Sequence, residues 1–156
     1  MSKFIAFLFS FFAISALYAQ ELPQASPVSK LEQRIGLTDV SVRYSRPSVK
    51  ERKIWGEVVP YRTIWRTGAN ACTVISFSDN VSINGQNVPA GEYSLFTIPT
   101  ENEWTIILNK NTKLWGSDGY KQEEDVLRFN VKPEMNAPFT ETMLFAFDNI
   151  KIDAAD

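Results

Sequence analysis

The stretch from Arg46 to Asn70, RPSVKERKIWGEVVPYRTIWRTGAN, gathers the side chains best suited to holding a ligand. Arg46, Lys50, Arg52, Lys53, Arg62 and Arg66 offer fork-shaped and point-charge donors for carboxylate, sulfate or phosphate. Trp55, Tyr61 and Trp65 offer rings that stack on a sugar or on another planar face. Trp65-Arg66-Thr67-Gly68 sets a large ring, a guanidinium, a hydroxyl and a flexible backbone position in succession. From Arg43 to Arg66 seven basic residues stand against two acidic ones, a balance of +5. From Thr67 onward six basic residues stand against thirteen acidic ones, a balance of −7. Such asymmetry marks either a basic patch or two halves that attract each other in the fold. The same residues also serve packing: Trp55 and Trp65 as plugs under a long loop, the charges as its solvated rim.

Other chemistries find less support. The chain has no His and one Cys, Cys72. This removes Ser-His-Asp triads, Cys-His dyads, His-bearing zinc sites and Cys-rich metal clusters. A lone Cys forms no internal disulfide, and Cys72, opening an apolar run, is expected as a small buried core residue. Glu92, Glu101, Glu103 and Asp118 supply carboxylates for a glycosidase-like acid/base pair, although spacing alone brings no two together. Asp118, Glu123, Glu124 and Asp125 match no Ca²⁺-loop spacing. There is no phosphate-binding loop, dinucleotide fingerprint or nucleophile elbow. The negative total charge and the lack of a nucleic-acid-binding motif argue against nucleic acid. No cofactor and no metal site are expected.

The elements that must position these residues read mainly as strands. Residues 1–19 have the outline of a cleaved signal peptide: Lys3, an apolar run from Phe4 to Leu17, and Ala19 before the cut. That run is shorter than the ~20 residues of a spanning helix, so no membrane span is expected after cleavage. Export to the periplasm or the outside follows, and 137 of the 156 residues remain. Residues 20–28, with Pro23 and Pro27, read as an exposed lead-in, and 29–156 as one β domain. Strands are expected at Lys30–Ile35, Val40–Tyr44, Thr73–Phe77, around Val81–Ile83, at Glu92–Ile98, Trp104–Leu108 and Leu127–Val131, and last at Met143–Phe147. Asn84-Gly85 signals a two-residue hairpin turn. Lys53–Trp55 and Ile64–Arg66 read as short strands with a turn of helix between them. Seven to eight strands without an amphipathic helix define an all-β fold: an antiparallel β-sandwich, or alternatively a partly closed β-barrel.

The motifs in order resemble a family of secreted bacterial proteins catalogued as domain of unknown function 2911. They run Arg46-Pro47, Lys50, Arg52, Ile54-Trp55-Gly56, Val58-Val59-Pro60-Tyr61, Trp65-Arg66, Gly68-Ala69-Asn70, Pro89-Ala90-Gly91, Tyr93 and Thr97-Ile98-Pro99. Trp104 and Trp115-Gly116 also fit, and the resemblance spans roughly Ser29 to Phe145. It departs at Glu51, where the family often has Gly. The resemblance implies export and one domain, and it carries no catalytic residue.

The leading expectation is an exported, non-enzymatic module that binds an anionic or sugar-like ligand. Its site residues would be Arg46, Arg52, Trp65, Arg66 and Asn70, with Tyr93 and Trp115 in support. The alternatives are a carbohydrate-active hydrolase working through paired carboxylates, and an envelope-associated structural protein without a small ligand. Oligomeric state is left open.

Overall fold

A computed structural model describes residues 22–156; the signal peptide expected at 1–19 lies outside the described residues. Period-2 alternation aims successive residues at opposite faces of an antiparallel sheet, and the inner strands β3, β6 and β7 carry apolar residues on both. The strands are β1 (Val28–Ile35), β2 (Thr38–Ser45), β3 (Thr73–Phe77), β4 (Val81–Ile83), β5 (Gln86–Val88), β6 (Gly91–Pro99), β7 (Trp104–Asn109) and β8 (Asp125–Val131). Six form one sheet in the order β1-β2-β3-β6-β7-β8, and β4 and β5 form a separate hairpin. Asn84 (φ 48°) and Gly85 (φ 76°) make its turn, as the Asn-Gly pair predicts. The sheet is open, with β1 and β8 at its edges, so the barrel alternative does not form.

Each face of the sheet is covered differently, which gives a sandwich-like arrangement without a full second sheet. On the hairpin face, Val40, Phe77, Tyr93, Leu95, Leu108 and Leu127 pack against Val81, Ile83 and Val88 of the hairpin, and against Phe145 and Phe147 near the C-terminus. On the opposite, loop face, Val74, Phe96, Ile107 and Cys72 pack under Ile64, Leu114 and Tyr120. These last three come from the two long connections, 46–72 between β2 and β3 and 110–124 between β7 and β8. Cys72 is buried, as its apolar setting predicts. No helix among the described residues is long and apolar enough to cross a membrane.

Two local expectations need correction. Met143–Phe147 is not a strand; a single bridge, Ser48 to Thr142, pairs that region. Its alternation still aims Phe145 and Phe147 inward while Leu144 stays exposed. Its polar backbone is met by other groups: the Phe145 amide donates to the Tyr44 hydroxyl, the Met143 amide donates to Pro47 O, and the Met143 carbonyl accepts from Arg46. No helical turn forms between Lys53 and Arg66 either. Gly56 and Arg62 take positive φ there, which a right-handed helix does not permit.

Candidate functional site

The sheet explains how Arg46–Asn70 is anchored. β6 is nine residues long against five in β3, so its far end lacks a partner on that side. Trp65 supplies one: its amide donates to Thr97 O (2.8 Å) and its carbonyl accepts from the Thr97 amide (2.9 Å). Directly paired residues share a face, so Trp65 lies on the hairpin face with Thr97. There it meets Trp55 and Trp104 edge-on, at centroid distances of 5.7 and 6.4 Å. Arg66, the next residue, is directed to the loop face with Ile64. The Trp-Arg pair that reads as one ligand-binding unit is therefore divided between the two faces of the sheet.

The residues after Arg66 form a lock. Buried Thr67 holds φ at 52°, unusual for a β-branched residue. Its hydroxyl donates to the Thr97 hydroxyl and its carbonyl accepts from the Thr73 hydroxyl at 2.7 Å. A Cβ on Gly68 would stand 2.9 Å from Thr73 Oγ1 and 3.2 Å from Ser45 O, so only glycine fits. Asn70, at φ 58°, accepts the Gly116 amide at its carbonyl and donates from Nδ2 to Ser26 O. Ala71 pairs with Trp115 in an isolated bridge. The two long connections are thus stitched together at Asn70–Ala71 and Trp115–Gly116.

That junction borders a recess of about 210 Å³ on the loop face. Asn70, Cys72, Trp115, Arg43 and Ser45 line it, with Gln24 and Val28 from the start of the described chain. Trp115 is 71% exposed, at the rim of a hollow instead of in a core. Among the described residues the Arg43 side chain makes no salt bridge and no hydrogen bond, so its guanidinium is free to meet an anion. Residues 22–28 are largely exposed, and two backbone carbonyls tie them here: Pro27 O accepts the Arg46 amide, and Ser26 O accepts from Asn70.

The other expected site residues lie elsewhere. Arg46 donates to Met143 O (2.8 Å) and Thr142 Oγ1 (2.9 Å), and so holds the C-terminal segment. Arg52 donates to Val49 O and Ser48 O and caps its own turn. Tyr93 is buried in the hairpin-face core, where its hydroxyl donates to Pro89 O. Arg66 sits beneath the 110–124 loop, with Nη1 3.8 Å from where a Gly116 Cβ would be. Its Nε is shielded from solvent and has no partner. Burial lowers its pKa, and the nearby negative charge of Asp118 opposes this. Of the seven residues, only Asn70 and Trp115 line the recess. Arg43 lines the recess without being among the expected residues, although its polar slot between Val42 and Tyr44 marks it as facing away from the apolar layer.

The four carboxylates that could serve hydrolysis do not all lie together. Glu92 lies near the start of β6, whereas Glu101 and Glu103 lie beyond its end; six or more residues of extended strand separate them by at least ~20 Å. Asp118 is beside Arg66. Asp125 is held by Asn109, Tyr120 and Arg128. Glu92 therefore stands too far from Glu101 and Glu103 to form with either the facing pair at roughly 5–10 Å that glycoside hydrolysis needs.

The molecule is therefore an open antiparallel sheet whose two long connections wall a small surface recess. It belongs to the family described as "Protein of unknown function (DUF2911)", whose model matches residues 26–156. The chain matches no curated protein and no solved structure.

Proposed function

We propose that the protein is an exported, non-enzymatic binding module, and that an anionic or sugar-like ligand seats in the recess between Arg43, Asn70 and Trp115. The observation that carries this reading is Trp115, an indole 71% exposed on the wall of a hollow that also presents the Arg43 guanidinium, which has no partner among the described residues. A ring left so exposed gives little burial energy to the fold, whereas a stacked ligand face would recover it. Arg43 supplies a charge-assisted donor for an acidic substituent. Export rests on the apolar run behind Lys3 and on Ala19.

The test is titration of the protein from Gln20 onward, followed by tryptophan fluorescence and calorimetry. Neutral and acidic sugars, small carboxylates, phosphate and sulfate are the probes. One class should bind, Trp115→Ala should abolish binding, and Arg43→Ala should weaken it about tenfold or more if the ligand is anionic. Binding that survives both substitutions would overturn the placement; silence across the panel would favour a structural envelope role.

A further inference from the structure

The recess does not end at Arg43. A second, larger concavity of about 660 Å³ lies on the same loop face, across β1, β2, β3 and the start of β6. Lys30 lines this groove and Arg43 lines the recess, and the two are directly opposite each other in the β1–β2 register. The hollows therefore abut along one pair of strands. The rungs sharing that face run from Val28–Ser45 through Lys30–Arg43 and Glu32–Ser41 to Arg34–Asp39. Three rung steps of two residues each make a track of roughly 20 Å, with Trp115 at one end.

We infer, building on the recess as the ligand site, that the ligand is an extended oligosaccharide of low charge lying along this track, with its end unit against Trp115. The lining chemistry selects this occupant. Glu32, Ser41, Ser76 and Glu92 follow one another across four strands in register, and the Ser41 and Ser76 hydroxyls are hydrogen-bonded at 2.7 Å. This row both donates and accepts, as a chain of sugar hydroxyls requires. Lys30 pairs with Glu32 and Arg34 with Asp39, which leaves Glu92 as the one uncompensated charge of the groove, so a polyanion meets no net attraction there. Arg43, without a partner among the described residues, provides for one acidic group next to the indole. A peptide fits less well. Strand addition uses an open sheet edge, but this groove lies on the sheet face, where the backbone groups of β2, β3 and β6 are already paired.

The test is affinity against chain length. Glucan, xylan, mannan and chitin oligomers of two, four and six units are titrated into the protein from Gln20 onward, beside an extended hexapeptide of alternating Lys and Glu. One glycan series should gain tenfold or more in affinity from two to six units, with little dependence on salt. Glu32→Ala with Glu92→Ala, both exposed positions, should remove that gain and leave the two-unit ligand unchanged; Trp115→Ala should weaken every length. Equal affinity at all lengths, still lost in Trp115→Ala, would overturn the track and leave the recess. Binding of only small carboxylate or sulfate at Trp115 would do the same. Preference for the hexapeptide would replace the sugar with a peptide chain. No binding by any oligomer or small ligand would overturn both readings.

Discussion

The amide of Gly116 donates to the carbonyl of Asn70 at 3.0 Å, and this bond joins two connections that lie far apart in the chain. The wall of the recess depends on it. Asn70 can present its carbonyl this way because it holds φ at 58°, a region that Asn enters more readily than most residues. Its Nδ2 adds the bond to Ser26 O. Asn70→Ala should lower unfolding free energy by about 1–2 kcal/mol, from left-handed strain and the lost hydrogen bond. Asn70→Gly should cost less, because it relieves the strain and loses only the side-chain bond. Urea denaturation of the three proteins checks this ordering; equal stability of Ala and Gly variants would show that the backbone geometry is not the controlling feature.

Arg66 leads to a contrasting expectation. Its Nε is shielded and unpartnered, and no salt bridge forms with Asp118. An unsatisfied buried donor costs about 1–3 kcal/mol, and replacing it with an apolar group of similar shape can be neutral or stabilising. Arg66→Met should therefore hold stability to within ~1 kcal/mol of the parent or raise it. Since Arg66 does not line the recess, ligand affinity should also persist. A loss of 3 kcal/mol or more, rescued by Arg66→Lys, would instead make Arg66 a required ion-pair partner of Asp118.

These two residues show what the sequence reveals and what it hides. Strands β1 to β3 and β6 to β8 follow from alternation, and the hairpin from Asn84-Gly85, because both signals are local. The division between Trp65 and Arg66 was legible too: Ile64–Arg66 reads as extended, and neighbours on an extended chain point to opposite faces. The Asn70–Gly116 junction was not legible, because it depends on how two loops cross the sheet and no periodicity records that. Met143–Phe147 has a strand's alternation but not its ladder, since Tyr44, Arg46 and Pro47 meet its backbone instead.

Glu51 offers a test of local strain. It holds φ at 57°, directly after Lys50 at 49°. Left-handed backbone costs an L-residue roughly 1–2 kcal/mol, whereas glycine adopts it freely at an entropic cost of about 0.5–1 kcal/mol. The Glu51 side chain is exposed and makes no hydrogen bond or ion pair among the described residues. Glu51→Gly should raise stability by about 0.5–1 kcal/mol, and Glu51→Val should lower it. A melting series of the three decides the matter; destabilisation by glycine would mean that the turn is held in another conformation.

Tyr120 ties the 110–124 loop to the sheet and should give the protein an alkaline limit. Its ring packs edge-on against Phe96 with centroids 5.2 Å apart, and its hydroxyl donates to Asp125 Oδ2 at 2.7 Å. Burial, then the Asp125 hydrogen bond and negative charge, push its pKa up from 10.0 to about 12. The folded state thus favours the neutral phenol. The resulting stabilisation is complete below the ordinary tyrosine value and is lost as pH rises from about 10 through about 12. Tyr120→Phe removes this titration while keeping the ring. The stability difference between parent and variant should be constant up to about pH 10 and shrink above it. Because the loop that Tyr120 fastens also carries Trp115, ligand affinity in the parent should fall over the same range. A difference that stays level to pH 12 would show that Asp125 does not hold the phenol, and that the loop is secured by the packing of Leu114 and Tyr120 on Phe96 and Ile107 alone.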